Sequence, residues 1–373
     1  MSTDELKHRR IANELREAIA DGRFPVGARL PSESRLVRQH GVSRPTVNRA
    51  LNELAAAGLV GRRAGSGSYV LRTAVQEAPQ RRFGLLLPGF RRTEIFERIR
   101  GELAAAARSH GASLLWGGPD PSNAPDDLDL DGAREACAAF VAARVDGVFL
   151  APFELIPDRE EANGSIAGGL RAAGIPVVLL DRDLGPFPKR SDFDLVGIDN
   201  MAAGYRLAEH VLKLGCERVA FVARPHSAPT VDARIHGVRA ALANHRVEPE
   251  PRWVHLGDPN DVRFVRRLMA GRRWDVLLCA NDHTAFELMA TLGREGFRVP
   301  ADVRMAGFDD VHHATRTATP LTTIHQPCRD IALVALRAML DRLGDPSLPP
   351  RCQLLAPSLV LRDSCGAYRR PGR

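Results

Sequence analysis

The sequence predicts an α/β protein in two unequal parts: an N-terminal winged helix-turn-helix and a larger, two-lobed domain built on parallel sheets. Three observations carry this. At 373 residues the chain exceeds what one ordinary core holds. Its first 72 residues read as three short helices and a Gly-Ser-tipped hairpin. From Phe83 onward, apolar bursts alternate with helical patterns, and the rhythm restarts halfway, as expected for two successive α/β halves with a cleft between them.

In the first part, Leu6, Ile11, Leu15, Ala18 and Ile19 share one helical face, and Asp21-Gly22 ends that helix. Ser32 stands three residues before Arg35 and opens a second helix that stops near His40-Gly41. Ser43 caps a third, with Pro45 in its first turn, where a missing N–H costs nothing. Two short helices joined by the turn HGVS form a helix-turn-helix, whose second helix enters the major groove. Val47, Ala50, Leu51 and Leu54 are expected in the core, leaving Arg44, Thr46, Asn48 and Arg49 toward solvent or DNA. The charge agrees: residues 1–75 hold 13 Lys+Arg against 7 Asp+Glu, while the remainder holds 39 against 38. A solvated basic surface would carry the same excess.

Over roughly these 72 residues the chain resembles the GntR family of winged helix-turn-helix regulators, through GARLPSESRL, GVSRPTVNRAL, AAGLV and GSGSYV in order. The resemblance implies phosphate or base contacts by Arg35, Arg44 and Thr46, with Ser43, Asn48 and Arg49 on the same helix. It also implies wing glycines, Gly65 and Gly67, that let backbone approach the minor groove. The family commonly has Arg where this chain has Asn48. Asn pairs with adenine and Arg with guanine, so a different operator is expected.

Residues 73–82, TAVQEAPQRR, read as a linker, 83–366 as the large domain and 367–373 as a tail. Strands are expected at FGLLLP, ASLLWGG, GVFLAP and IPVVLLD, then, in the second half, at DLVGID, RVAFVA, WVHLG, DVLLCAN and VRMAGFDD. Ligands of such sheets bind at the carboxyl ends of strands. Those ends carry Asp181-Arg182, Asn281-Asp282 and Asp309-Asp310, with Gln326 after TTIH and Arg234 at a helix start. Carboxylates, amides and guanidiniums converging there match the donor and acceptor needs of sugar hydroxyls.

The large domain resembles the lactose/galactose repressor (LacI/GalR) family and its relatives, the periplasmic sugar-binding proteins, over Phe83 to Ser364. VGIDNMAAGYRLAEHVLKLGCERVAFVA, ANDHTAFELMATLGREGFRVPADVRMAGFDD, PLTTIHQP and LVLRDS carry the match. The resemblance implies a periplasmic-binding-protein-like fold and sugar contacts by Asp181, Arg182, Arg234, Asn281, Asp282, Asp309 and Gln326. GFRRTEIFERI departs from the Asn-Pro-Phe-Phe run of relatives. It offers Phe90, Ile95 and Phe96 as stacking candidates and Arg92 and Glu94 as polar ones, and leaves the sugar's identity open.

Blander readings stand beside these. Asp199-Asn200 reads as a helix-capping pair, and Asp310 as either a cap or a cleft residue. Asp181-Arg182 also fits an internal ion pair at the hinge. His325 has no Ser or Cys partner and reads as packed, as do Trp116, Trp253 and Trp274. Six scattered cysteines argue against disulfides or metal, and the N-terminus lacks a signal peptide's apolar core, so a cytoplasmic protein is expected. No nucleophile-base pair, cofactor motif or phosphate loop points to an enzyme, and no cofactor is expected. The reading is a ligand-responsive transcription regulator, a homodimer on an inverted-repeat DNA operator, released when a sugar binds. Corepression or activation by the ligand, a cytoplasmic sugar-binding protein, and dimer against tetramer stay open. The helices at Arg100–Ser109 and Ile331–Arg342 are candidate dimer surfaces, although helices packed on a sheet would look the same.

Overall fold

The apolar stripe of the first twenty residues folds as α1 (Thr3–Ala20), which buries Ile11, Ala12, Leu15 and Ile19. The structure is a computed structural model that describes residues 3–56, 58–63, 67–71, 81–88, 94–118, 129–271, 274–315 and 318–367. Ser32 accepts the Arg35 N–H at 3.3 Å to start α2 (Glu33–His40). That helix ends because Gly41, at φ +59°, takes the left-handed conformation and returns its N–H to Val37. α3 (Arg44–Ala56) buries Val47, Ala50, Leu51 and Leu54 against α1 and α2, the face its sequence assigns to the core. β1 (Val60–Arg63) and β2 (Gly67–Val70) pair antiparallel from Val60–Val70 to Arg63–Gly67, forming the wing.

The chain divides into two compact units, residues 1–80 and 81–373. The second unit begins with β3 (Arg81–Leu86), two residues inside the stretch read as linker, because Arg81 and Arg82 already pair with β4 (Ala112–Trp116). The first sheet continues through β5 (Gly147–Leu150), β6 (Val177–Leu180) and β7 (Asp194–Ile198), all parallel and fully buried except β4 and the first residues of β3. Around it lie α4 (Glu94–Ser109), α5 (Leu130–Ala142) and α6 (Arg159–Ala172). The second sheet holds β8 (Val219–Ala223), β9 (Val254–Leu256), β10 (Val276–Cys279), β11 (Arg304–Asp309) and β12 (Thr322–His325). α7 (Asn200–Lys213), α8 (Pro229–Asn244), α9 (Val262–Met269) and α10 (Asp282–Arg294) accompany it.

The restart of the rhythm at DLVGID predicts a second lobe beginning there, and the structure corrects this. That segment is β7, which pairs with β6 and completes the first lobe. The chain crosses between lobes after Ile198, returns after β12 into α11 (Cys328–Gly344), which packs on α4, β6 and β7, and adds β13 (Cys352–Leu355) to the first sheet. It then crosses a third time into β14 (Ser358–Val360), antiparallel to β12. Three strands of backbone thus join the lobes, the arrangement that lets two rigid bodies rock about a common hinge.

Two glycines prepare the site. A Cβ on Gly204 would stand 2.1 Å from the Arg234 carbonyl oxygen, and one on Gly237 2.0 Å from that of Met201. Only glycine lets α7 and α8 touch backbone to backbone, and this close approach brings Arg234 beside Asn200.

Candidate functional site

Parallel strands leave their carboxyl ends at one edge of each sheet, and here the two edges face each other across the cleft. On the first lobe, β6 runs into Asp181 and Arg182. Arg182 ion-pairs with Asp181 (Nε–Oδ2 3.2 Å) and with Glu154 (Nη1–Oε1 2.7 Å), and its guanidinium lies over the Phe96 ring at 5.1 Å. On the second, Arg234 donates to the Ala280 carbonyl at 2.6 Å and to Asn200 Oδ1 at 2.8 Å, approaches Asp309 Oδ1 at 3.6 Å, and covers the Phe308 ring. Gln326 donates its amide to Asp309 Oδ1 at 2.8 Å. Asp181, Arg182, Arg234, Asp309 and Gln326 are all at most 5% exposed. Charges so desolvated persist only when paired, and this network pairs them.

Asp181 (φ +67°), Asp309 (φ +116°) and Asp310 (φ +54°) all adopt positive φ. Such backbone is strained for an aspartate and is held only where surrounding structure over-determines it, a pattern concentrated at functional sites. At Asp181 the surrounding structure includes Gly197, where a Cβ would sit 2.8 Å from the Asp181 carbonyl oxygen.

Titration follows burial. Desolvation pushes the Asp309 carboxyl up to about 7 against the pull of Arg234 and the Gln326 hydrogen bond. Asp181 is also raised by burial, which outweighs Arg182 and Arg234. Glu154 goes the other way: burial opposes its charge, but the Arg182 guanidinium, the Ala228 N–H and Arg234 together hold it below the usual carboxylate range.

The lobes also touch through residues that the sequence did not single out as bridges. Glu94 accepts the His312 N–H through both oxygens, at 2.8 and 2.9 Å, and Arg98 donates to the Asp310 carbonyl at 3.4 Å. Across the cleft, Glu154 accepts from the Ala228 N–H at 3.3 Å, and Leu155 donates to the His226 carbonyl at 2.8 Å. Glu154 belongs to no sequence motif. Its one signal is a lone carboxylate in the apolar run LAPFEL just after β5.

Several expectations need correction. Asp282 has both carboxyl oxygens taken up inside the second lobe: it is 0% exposed, accepts from the Thr323 hydroxyl at 2.7 Å and the Val311 N–H at 3.2 Å, and thereby ties α10 to β12 and to the end of β11. Burial raises its carboxyl well above the usual range, helped by the Asp309 charge. Asn281 caps α10, its Oδ1 accepting the Thr284 N–H at 2.8 Å. Ile95 lies in the first-lobe core, and Phe96 is buried beneath Arg182 rather than open for stacking; Phe90 and Arg92 lie outside the described residues. His325 is not simply packed, since its Nδ1 lies 2.8 Å from Asp310, which also receives Arg362 at 2.6 Å. Asp199 caps α7 as read, but Asn200 additionally holds Arg234. The candidate dimer helices α4 and α11 pack on each other within the lobe.

On the winged helix, Arg35, Ser43, Arg44 and Arg49 are exposed and Asn48 is half-buried. Thr46 is the correction there: it is 4% exposed, turned inward with its hydroxyl 2.7 Å from that of Ser43. Arg44 pairs with Glu33 at 3.2 Å while remaining 73% exposed. At Gly67, φ +101°, a Cβ would stand 2.8 Å from Arg29 Nε, and the left-handed backbone itself favours glycine; Gly65 lies outside the described residues. Among the described residues no group of three or more His, Cys, Asp or Glu could hold a metal ion, and no helix is long and apolar enough to cross a membrane.

The model of the bacterial regulatory proteins of the gntR family matches residues 7–70, and that of the periplasmic binding protein-like domain matches residues 208–365. The HTH-type transcriptional repressor PurR of Mannheimia succiniciproducens is 28% identical over 240 residues, covering 63% of this chain and 69% of that protein. The arabinose metabolism transcriptional repressor of Geobacillus stearothermophilus is 23% identical over 368 residues, 96% of this chain and 97% of the relative, so the similarity runs through both domains. Among solved structures, a transcriptional regulator CelR–cellobiose complex shares the fold with a TM-score of 0.65 at 23% identity, over 87% of this chain and 91% of that one.

Proposed function

We propose that this protein, whose residues 7–70 match the gntR family of bacterial regulatory proteins and whose residues 208–365 match the periplasmic binding protein-like domain, is a transcriptional repressor that leaves its operator when a sugar occupies the cleft. It is a DNA-binding transcription regulator like its relatives. The observation that carries the sugar reading is the ring of Asp181, Arg182, Arg234, Asp309 and Gln326 at opposed strand ends, buried and supplying both donors and acceptors. A hydroxyl both donates and accepts, so a polyol satisfies such a ring where a purely apolar or purely acceptor ligand leaves groups unpaired. The names of two relatives, an arabinose metabolism repressor and a regulator in complex with cellobiose, support the class without fixing the sugar.

In this reading Arg35, Ser43, Arg44, Asn48 and Arg49, with the wing at Gly67, contact operator DNA, and the protein acts in the cytoplasm as a homodimer on an inverted repeat. One recognition helix alone reads too few base pairs for a specific site. It is a binding protein rather than an enzyme. Closure about the three crossings changes the orientation of the subunits and so the spacing of two DNA-reading heads. A sugar shifts this balance only by its differential affinity for the two states, typically about 1–3 kcal/mol of coupling.

Fluorescence anisotropy of the full-length protein on an operator selected from random DNA, with and without pentoses, hexoses and polyols, tests the reading. One sugar is expected to weaken operator binding about 5- to 150-fold. Tighter binding would make the ligand a corepressor, and no response to any polyol would overturn the sugar assignment.

A further inference from the structure

Glu154 is the one carboxylate of the cleft that neither the sequence motifs nor the strand-end pattern marks, and it sits where ligand charge is decided. Its side chain is 20% exposed, with one oxygen 2.7 Å from Arg182 and the other accepting the Ala228 N–H of the opposite lobe. Across the network, the guanidiniums of Arg182 and Arg234 face the carboxyl groups of Glu154, Asp181 and Asp309. The guanidinium charge of Arg182 and Arg234, which a phosphate in the cleft would need, is already matched within this network.

The unpaired atoms point the same way. Among the described residues, Asp181 Oδ1 and Gln326 Oε1 are buried acceptors with no hydrogen-bond partner, while Arg182 Nε and Nη1 lie in their ion pairs without hydrogen-bond alignment. A hydroxyl donates to the first two and accepts from the third. The phosphate group of an ester donates to neither acceptor and adds negative charge beside Glu154, so it competes with the hydroxyls for the cleft without satisfying it. Resting on the sugar-cleft reading above, we propose that Glu154 is a specificity-determining residue: by neutralising Arg182 it reserves the cleft for uncharged, hydroxyl-rich ligands and rejects their phosphate esters. Specificity of this kind is a difference of affinities created by a repulsive element as much as by attractive ones.

Glu154→Gln removes the charge but keeps an amide oxygen for the Ala228 N–H, so it separates selectivity from lobe bridging. Calorimetric titration of the full-length wild type and variant uses matched pairs, D-ribose with D-ribose 5-phosphate and D-glucose with D-glucose 6-phosphate, together with inorganic phosphate. The wild type should prefer a free sugar over its ester by about tenfold or more, and Glu154→Gln should shrink that ratio by about tenfold, while Glu154→Asp retains it. A wild type that prefers the ester, or a ratio unchanged in Glu154→Gln, overturns the proposal. If no sugar binds, the sugar reading fails separately and inorganic phosphate decides: binding gained only on Glu154→Gln supports the role of Glu154, and no gain overturns it. Should Glu154→Gln fail to fold, Glu154→Ser gives the same ratios.

Discussion

The winged helix and the cleft both rely on arginine, and they use it in opposite ways. Arg35, Arg44 and Arg49 stand in water on a scaffold whose apolar residues do the folding, whereas Arg182 and Arg234 are at most 4% exposed and belong to the fold themselves. An exposed guanidinium costs nothing to keep charged until DNA arrives. A buried one has already lost its water and depends on Glu154, Asp181, Asn200 and Asp309 for compensation. The same residue type should therefore give opposite mutational signatures in the two regions: binding lost with stability kept in one, stability lost first in the other.

The largest effect expected is at Arg182. Arg182→Ala leaves Glu154 and Asp181 as buried carboxylates without their cation and should destabilise the larger domain by about 3–5 kcal/mol. Urea unfolding followed by tryptophan fluorescence reads that domain alone, since Trp116, Trp253 and Trp274 all lie in it. A loss as small as that of a surface arginine would remove the contrast between the regions.

Asp309 sharpens the comparison through pH. Its folded carboxyl titrates at about 7, raised by burial from the ordinary 3.8, so between those values the native state holds a proton that the unfolded chain has released. Stability contributed by that protonated form is present at low pH and declines as pH rises from about 4 to about 7. Asp309→Asn removes its share of the slope and leaves that of Asp181 and Asp282: unfolding midpoints measured from pH 5 to 8 should fall more steeply for the wild type than for the variant. Parallel profiles would mean that Asp309 stays ionised in the fold.

Next in size is Asp282, whose role differs from that of its neighbour Asp309 although both follow strand ends. Asp282→Ala leaves the Thr323 hydroxyl and Val311 N–H without their acceptor and should cost about 1–3 kcal/mol. Asp282→Asn keeps an acceptor oxygen and, because the native carboxyl is raised by burial, should cost less. Both are read in the same urea transition. An Asn variant as damaged as the Ala variant would show that the charge itself is required.

How much of this was legible follows from what periodicity encodes. Fully buried runs such as VVLL, VAFVA and VLLC announce parallel strands, so the α/β rhythm and the polar strand ends could be read directly. Which sheet a strand joins is a tertiary matter, and DLVGI looks the same in either lobe. The side on which a strand-end residue projects is decided by the first helical turn: Asp282 rotates inward at the start of α10, although Asp309 and Gln326 meet across the site. Thr46 turns in for a similarly local reason, its hydroxyl engaged by Ser43. Glu154 belongs to no motif, and only the approach of Arg182 and Ala228 from elsewhere in the chain gives it meaning.

The smallest effect on stability, and the one that isolates the other half of the comparison, belongs to Arg44. Its ion pair with Glu33 spans 3.2 Å on a side chain 73% exposed, where solvent screening leaves little net contribution. Arg44→Ala should therefore change stability by no more than about 0.5 kcal/mol. Its effect on operator binding separates two kinds of contact. If Arg44 meets a phosphate, affinity should weaken evenly across sequences and the slope of log affinity against log salt should fall by about 1; if it reads a guanine edge, the loss should be about 1–3 kcal/mol and confined to sites carrying that base. Anisotropy titrations at several salt concentrations on the selected operator and on scrambled DNA tell the two apart. A loss of stability comparable to that of Arg182→Ala would instead show that the winged helix, like the cleft, folds around its charge.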